Sequence, residues 1–176
     1  QPMIVCAGNS PRGREYAACN ADMMFTNLRG DIEAISGNIS TLKELAAGYQ
    51  RDIGVFSNVV VICRPTKKEA EEYFRYYAIE KADHDAVENL IEGRGLKKPG
   101  VTEEALQAAR IRAAAGNGAL PIVGDPDDVV AMMKLLSGFG ITALAMGFTN
   151  YLDHFPYFRD EVLPRLVSEG LRAGNS

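Results

Sequence analysis

Two kinds of hydrophobic pattern alternate along the chain. Where apolar residues recur every three to four positions, as over 32–45, the spacing predicts amphipathic helices. The run 3–7 is apolar without interruption, which is typical of a strand buried on both faces. A repeated strand–helix order predicts an α/β fold with a parallel sheet. Short continuous apolar runs predict four strands, 3–7, 23–26, 55–63 and 142–146, and the regular pattern also resumes at 121–124 before a helix start.

Two of the predicted helices carry sequence signals at their N-termini. Thr66 precedes a helical pattern, and Glu69 three residues later completes a capping box. Asp125 is followed by Pro126, which places a favoured N-cap residue before the residue best suited to the first helical position. Both helices are therefore expected to begin here, shortly after a strand. A final helix is expected over about 155–167.

The segment 81–120 departs from this regular pattern. It is polar and helix-prone, and glycines and a proline interrupt it repeatedly. Connections in a compact domain rarely exceed about 15 residues unless they form or cover a site. We therefore predict an insertion after the third strand that acts as a lid or binding loop.

The length of 176 residues predicts a single domain over 1–176. About four strand–helix units fit into the chain, whereas a closed (β/α)8 barrel typically needs about 250 residues. Half of such a barrel and a small doubly wound sheet both satisfy this length. The chain enters its first strand almost directly after Gln1, without an initiator methionine, which suggests a fragment, a processed chain or an engineered one.

Charge and composition exclude several classes of partner. Lys plus Arg is 19 and Asp plus Glu is 23, and no basic stripe is present, so nucleic acid is not expected. The apolar runs are far shorter than the roughly 20 residues of a membrane span. No charged-then-apolar leader is apparent, which favours a cytoplasmic protein. The three cysteines, at 6, 19 and 63, form no close pair of the kind that binds zinc, so no metal site is predicted.

The turn between the first strand and the first helix, residues 7–13, is the most informative local motif. Ligands of parallel α/β folds bind at the C-terminal ends of strands, and a helix N-terminus offers free N–H groups to a phosphate. Gly8 and Gly13 would permit close backbone approach or a positive φ. Ser10 and Arg12 could donate charge-assisted hydrogen bonds to an anion.

The same turn has a purely structural interpretation. Ser10 is a favoured N-cap residue and Pro11 suits the first helical position, so the segment could be a tight strand-to-helix connection. The turn alone leaves both interpretations open. It matches neither the GxGxxG nor the Walker pattern, so it does not point to a dinucleotide or to ATP.

Two segments together resemble one family. Residues 4–18, followed by Ala21 and Asp22, are similar to the AG-x-S-x-x-G-R-x-(F/Y)-A-A…AD pattern of the bacterial luciferase-like flavin monooxygenases. Residues 121–129 and later positions through Pro164 resemble the closing unit of that family, with its G-(T/D)-P-(D/E) helix start, last barrel strand and terminal helix. The order and spacing agree over essentially the whole chain. The details of 150–158 look closest to the dimethylsulfone and sulfonate monooxygenase branch.

The resemblance implies the C-terminal half of a luciferase-like TIM (β/α)8 barrel, strands five to eight, with the other half preceding Gln1. The family binds reduced FMN at the C-terminal ends of its strands. The segment 81–120 would correspond to the variable insertion after strand seven, which helps cover the active site. The flavin phosphate lies on the loop that this turn matches, Ser10 corresponding to the phosphate-binding serine, so the implied cofactor-binding residues are Ala7, Gly8, Asn9, Ser10, Arg12 and Gly13.

The activity that the resemblance implies is that of a two-component monooxygenase. A separate flavin reductase supplies reduced FMN, and O2 is used to oxygenate a small organosulfur or similar substrate. The residues that contact the flavin ring lie mostly in the first four strands of the family. No catalytic residue is therefore assigned in this chain.

Two other functions stay open. A relative with the same barrel could use a deazaflavin and transfer hydride, and O2 consumption dependent on reduced FMN would distinguish the two. Alternatively, the chain could be a non-catalytic fragment that needs its N-terminal half. Half a barrel exposes sheet edges and one side of its core, so a homo-oligomer or pairing with the missing half is expected.

Several other side chains are expected to have structural or surface positions. His84 and His154 are interpreted as solvated surface histidines rather than general acid–base groups. An aromatic group near the C-terminus could line a substrate mouth, but its more common role is to pack a terminal helix. The members of that group are Phe148, Tyr151, Phe155, Tyr157 and Phe158.

Overall fold

The computed structural model of the protein describes residues 2–28 and 31–174. The strands in this part are β1 (Val5–Cys6), β2 (Met23–Phe25), β3 (Gly54–Cys63), β4 (Leu120–Gly124) and β5 (Ala143–Gly147). Two π-helical segments, Tyr76–Glu80 and Phe158–Val162, directly follow the helices that end at Arg75 and Tyr157. None of the described helices is long and apolar enough to cross a membrane. The helices are α1 (Pro11–Asn20), α2 (Ile32–Gly48), α3 (Lys67–Arg75), α4 (His84–Gly93), α5 (Glu103–Gly116), α6 (Pro126–Gly138), α7 (Tyr151–Tyr157) and α8 (Leu163–Ser168).

The strands pair in parallel, as the strand–helix order predicts. β1 pairs with β2, and β2 pairs with the first residues of β3, Met23 lying opposite Gly54. β4 pairs with the last residues of β3, Val59 lying opposite Leu120. β5 also pairs with β3. The predicted α/β fold with a parallel sheet is confirmed.

The chain groups into two compact units. The first contains Gln1–Asn58 and Met133–Ala145, and the second contains Val59–Met132 and Met146–Ser176. In the first unit, α2 buries one face, and its buried residues are Ile35, Ile39, Leu42 and Ala46. These positions follow the three-to-four spacing of the sequence. In the second unit, a core cluster joins β3 to the helices that follow it, and its buried residues are Val60, Ile62, Ala70, Ala78, Ala115 and Ala119.

β1 differs from its prediction. Met3, Ile4 and Val5 are 63%, 49% and 48% exposed, so the prediction of a strand buried on both faces is wrong for the described part of the chain. β1 stands at the end of the strand order and pairs with β2. An apolar edge strand of this kind leaves backbone donors and acceptors available for pairing with another segment.

The predicted insertion 81–120 contains two capped helices, in agreement with its helix-prone sequence. Asp83 caps α4 and Thr102 caps α5, each accepting a backbone N–H from the first turn. The two helices pack on each other through Val87 and Ile91 of α4 and Ala113 of α5. The role of this segment as a lid stays a prediction.

The predicted helix starts after β3 and β4 are confirmed. The Thr66 hydroxyl accepts the N–H of Glu69 at 3.2 Å and donates to the Glu69 carboxylate at 2.8 Å. The Asp125 carboxylate accepts the N–H groups of Asp127 and Asp128 at 3.0 and 2.9 Å. Both caps satisfy backbone donors that would otherwise lack a partner at a helix start.

Candidate functional site

Ser10 has a defined structural role in the turn after β1. It is the N-cap of α1, its backbone is extended, and its hydroxyl oxygen accepts the N–H of Gly13 at 3.1 Å. Pro11 is the first residue of the helix. The capping interpretation of the sequence is therefore confirmed. A capping hydroxyl uses only its oxygen, so the exposed O–H of Ser10 stays able to donate to a ligand.

Gly8 and Gly13 lie in close contact because the helix begins directly against the turn. A Cβ atom on Gly13 would lie 2.6 Å from the carbonyl oxygen of Gly8 and 2.7 Å from its carbonyl carbon. The expected close approach is thus confirmed. Neither glycine has a positive φ, so that part of the expectation is wrong. Space, and not left-handed backbone, requires glycine here.

Asn9 ties the turn to the end of β2. Its side-chain amide donates to the carbonyl of Ala7 at 3.3 Å, and its carbonyl oxygen accepts from the Thr26 hydroxyl at 3.2 Å. Thr26 is in turn anchored by its N–H, which donates to the carbonyl of Phe56 at 3.0 Å. Asn9 therefore holds the turn in place.

Arg12 is the free cation of the turn. Its side chain is exposed and has no hydrogen-bond or ion-pair partner within 2–28 and 31–174. The neighbouring Arg14 differs, because it donates to the side-chain amide oxygen of Asn38 at 3.4 Å. The N–H groups of Ser10 and Arg12 also donate to nothing in these residues. The turn thus presents two N–H groups, one hydroxyl and one guanidinium as donors.

A second polar group, which sequence reasoning missed, follows β3 in the second unit. We call Arg64, Tyr73, Thr149 and His154 the Arg64 cluster. The guanidinium of Arg64 donates to the carbonyl of Cys63 and to Nε2 of His154, both at 2.8 Å, and lies 4.1 Å from the centre of the Tyr73 ring. The Thr149 hydroxyl lies 3.1 Å from both the Tyr73 hydroxyl and Nδ1 of His154. The only sequence signal was an arginine directly after a strand.

The Arg64 cluster fixes the state of His154. Arg64 can only donate, so Nε2 must accept and the proton is assigned to Nδ1, which donates to Thr149. Burial, followed by the positive charge of Arg64, lowers the pKa of His154 below its ordinary value. His154 is half-buried with both ring nitrogens bonded, so its interpretation as a solvated histidine is wrong.

His84 agrees with its prediction. It is the exposed first residue of α4, and it borders a cavity of about 300 Å³ together with Glu88 and Arg110. Arg110 in this cavity is held by the carboxylates of Glu88 and Glu103. The positive charge of Arg110 is thus already paired with carboxylates of the protein.

The C-terminal aromatic group packs as expected. Phe158 is fully buried, and its ring lies 5.4 Å from that of Phe148, which also contacts Tyr151 and Phe155. These tilted ring contacts join the loop after β5 to α7 and the π-helical segment that follows it.

A family model decides where the chain belongs. The model described as luciferase-like monooxygenase matches residues 1–143, which is most of the sequence. The chain belongs to the luciferase-like monooxygenase family. In this chain the turn after β1 caps α1 through Ser10, and the same turn presents the donors described above.

Relatives of this luciferase-like chain include several monooxygenases. Sulfoquinovose monooxygenase from Novosphingobium aromaticivorans is 29% identical over 94% of this chain and 49% of its own length. The crystal structure of long-chain alkane monooxygenase (LadA) has a TM-score of 0.75 at 24% identity, covering 100% of this chain and 43% of that protein. DmoA from Hyphomicrobium sulfonivorans has a TM-score of 0.76 at 22% identity, covering 99% and 43%.

The fold also occurs with another cofactor. The coenzyme F420-dependent tetrahydromethanopterin reductase from Methanopyrus kandleri has a TM-score of 0.58 at 17% identity, covering 93% of this chain and 50% of that protein. At such identities the likeness concerns the fold alone. The chain spans about half the length of the relatives it matches, and the fold is that of the luciferase-like barrels.

The state of His154 predicts how stability depends on pH. Because its pKa is lowered on folding, the unfolded chain binds more protons below the ordinary value of 6.5. The stability that comes from keeping His154 neutral is fully present above pH 6.5. It is lost as the pH falls from 6.5 through the lowered pKa of His154 in the folded protein. The groups that face the ring are Arg64, Tyr73, Thr149 and the more distant Asp153, which opposes the shift. Between pH 7.5 and pH 5.5, urea unfolding should show a larger decrease in the free energy of unfolding for the wild type than for His154→Gln. Equal decreases in the two proteins would contradict the assignment of His154 as neutral.

Proposed function

We propose that this chain belongs to a flavin-dependent monooxygenase that binds reduced FMN and uses O2 to oxygenate a small organic substrate, with organosulfur compounds as the favoured class. The observation that carries the proposal is the turn after β1, where an exposed serine hydroxyl follows a parallel strand in a luciferase-like chain. Two N–H groups and the Arg12 guanidinium of this turn have no partner among the described residues. Bound FMN would supply the redox chemistry with O2.

The donors of this turn suit the phosphate of FMN. Ser10 and Arg12 offer N–H groups at the positive end of α1, where the helix dipole favours an anion. The Arg12 guanidinium adds a charge-assisted donor without breaking any existing ion pair. Gly8 and Gly13, which have no side chains, let the helix start approach the turn closely. The chain's part in the reaction would be to hold and orient the cofactor.

Ser10→Asp separates the capping role from phosphate binding. Aspartate is a favoured N-cap residue, so α1 should keep its stability within about 0.5 kcal/mol. The added carboxylate would repel a phosphate, so we expect FMN affinity to fall at least tenfold. Riboflavin, which lacks the phosphate, should bind equally to wild type and variant. Fluorescence titration of both flavins measures the two affinities.

Thr102→Asp is the matched control. Thr102 caps α5 as Ser10 caps α1, by accepting a backbone N–H at 3.2 Å, and it is likewise exposed. This variant should leave FMN affinity unchanged. If Ser10→Asp binds FMN as tightly as the wild type does, Ser10 is a helix cap alone and the phosphate assignment is wrong.

A deazaflavin-dependent oxidoreductase is the second candidate, supported by the F420-dependent reductase of related fold. Reduced FMN with O2 and reduced deazaflavin without O2 would be supplied in parallel assays. O2 consumption that needs reduced FMN favours the monooxygenase. Hydride transfer from the deazaflavin, with no O2 consumption, would replace it.

Partners of the chain follow from the same proposal. A separate flavin reductase would deliver reduced FMN. The exposed apolar residues of β1 favour pairing with the preceding half of a barrel or with a second copy. Native mass spectrometry with and without FMN distinguishes these cases. A second polypeptide together with a mass increase matching FMN supports an assembled flavoprotein, and a lone chain that ignores FMN contradicts it.

A further inference from the structure

We propose that the Arg64 cluster is a subsite for an anionic group of the substrate, a sulfonate or a carboxylate. The proposal rests on the proposed function, because it names the substrate class of the same enzyme. It is carried by an uncompensated arginine and a spare hydroxyl donor held together after β3.

The partners of Arg64 carry no negative charge in the part of the chain that the structure describes. Its partners are a backbone carbonyl, a neutral imidazole and an aromatic ring. No carboxylate within 2–28 and 31–174 forms an ion pair with it. Its side chain is half-buried, which makes an unpaired charge more costly than at the surface. Other arginines of the same unit do have carboxylate partners, namely Arg75, Arg110, Arg159 and Arg165.

Arg64 also keeps donors to spare. A guanidinium carries five N–H groups, and the bonds to Cys63 and His154 use two of them. The planar fork of a guanidinium matches the paired oxygens of a carboxylate or sulfonate. The Tyr73 ring covers one face and the His154 bond fixes the plane. Arg64 is therefore oriented before any ligand arrives.

The hydroxyl groups of the cluster add one more donor. Nδ1 of His154 donates to Thr149, so Thr149 and Tyr73 share the remaining contact of 3.1 Å. Only one of their two hydroxyl hydrogens can lie between them. Whichever group donates within the pair, the other hydrogen is left for an outside acceptor. The cluster thus offers a cation and a hydroxyl donor, which is the chemistry that recognises an oxyanion.

The position in the fold suits a ligand. Arg64 is the first residue after β3, and Thr149 follows the last residue of β5 by two positions. By resemblance to the family these are the last two barrel strands. Active sites of such barrels lie at the C-terminal ends of strands, and anionic groups are frequently held by the loops after the last two. Thr149 is exposed, so the cluster can be reached from solvent.

The acidic residue next to His154 does not fill this site. Asp153 neighbours His154, but its carboxylate accepts from the side-chain amide of Asn150 at 2.5 Å. Its charge affects the pKa of His154 less than Arg64 does. Asp153 therefore belongs to the start of α7 and leaves the charge of Arg64 available.

Methanesulfonate and dimethyl sulfone are matched probes, because they have similar shape and only the first is charged. Their binding to the FMN-loaded protein would be followed by NMR titration. We expect methanesulfonate to bind and to perturb the Arg64 side-chain signals, and dimethyl sulfone to bind at least tenfold more weakly. Acetate should compete with methanesulfonate, since both present paired oxygens.

Substitutions assign the effect to the cluster. Arg64→Gln should weaken methanesulfonate binding at least tenfold, while Arg64→Lys keeps the charge and should lose less. Arg75→Gln is the control, because Arg75 is an exposed arginine already paired with Glu80, and it should change nothing. Thermal unfolding of each variant verifies that it is folded.

The outcomes separate this inference from the proposed function. If FMN binds but methanesulfonate binding does not depend on Arg64, the subsite is wrong and the flavin assignment stands. If adding FMN removes methanesulfonate from Arg64, the cluster holds the flavin phosphate and the substrate assignment is overturned. If Arg64 binds methanesulfonate in a protein that ignores FMN, the anion site is supported and the flavin function fails.

Discussion

Gly13→Ala is expected to lower the free energy of unfolding by about 1–3 kcal/mol, the usual cost of forcing an extra methyl group into a packed site. The new Cβ would lie 2.6–2.8 Å from the carbonyl oxygen, carbonyl carbon and Cα of Gly8. These are backbone atoms, so no flexible side chain can move aside. Either the start of α1 or the turn must shift, and both carry the donors assigned to the flavin phosphate. FMN affinity should therefore fall with stability.

Gly37→Ala is the matched control for this prediction. Gly37 lies inside α2, and a Cβ there meets nothing within 4 Å. Alanine is the better helix former by about 1 kcal/mol, so this variant should be slightly more stable. Urea unfolding of both variants gives the comparison, with riboflavin and FMN titrations beside it. A stable Gly13→Ala protein with unchanged FMN affinity would show that close packing of this turn matters neither for folding nor for the ligand.

Features set by neighbouring residues were predictable from the sequence. The spacing of Ile35, Ile39 and Leu42 identified the buried face of α2, because a helix repeats every 3.6 residues. Thr66 and Asp125 identified helix starts, because capping bonds span only two or three residues. Ser10 likewise was placed as an N-cap. Its relation to a phosphate came from the family resemblance and stays a prediction.

Features set by distant residues were not predictable. The Arg64 cluster joins the end of β3, α3, the loop after β5 and α7, and its members are 90 positions apart at the extremes. No periodicity or spacing links Arg64 to His154, so the histidine was interpreted as solvated. The exposure of β1 also depends on distant residues. An apolar run shows that a strand is suited to burial, but it does not show whether another part of the protein covers it.

The segment 81–120 was predicted to be polar and helix-prone, and α4 and α5 show how both properties arise. α4 and α5 are held partly by charged pairs, among them Arg110 with Glu88 and Lys97 with Glu88. These charged residues make the segment polar, although it forms two regular helices. The small buried face of the segment includes Ala113 as well as the larger Val87 and Ile91. Alanine contributes little to a hydrophobic pattern in the sequence. Surface ion pairs of this type each contribute little to stability. The helix caps and the packed face therefore account for most of the stability of the α4–α5 pair.

Phe158→Ala is expected to have the largest effect on stability, a loss of about 3–5 kcal/mol. Phe158 is fully buried and its ring packs against those of Phe148 and Phe155. Removing the ring takes away this contact area and leaves a cavity in a buried part of the structure. Urea unfolding of the protein, followed by circular dichroism, would measure the loss in the free energy of unfolding.

Phe155→Ala distinguishes burial from the mere presence of an aromatic ring. Phe155 belongs to the same group but is 40% exposed, so its removal should cost clearly less than that of Phe158. If the group packs the terminal helices, both variants lose stability in proportion to burial while methanesulfonate affinity at the Arg64 cluster is kept in the folded fraction. If Phe155→Ala instead lowers the affinity for an organic substrate with little loss of stability, the exposed end of the group lines a substrate mouth, which is the other role that the sequence left open.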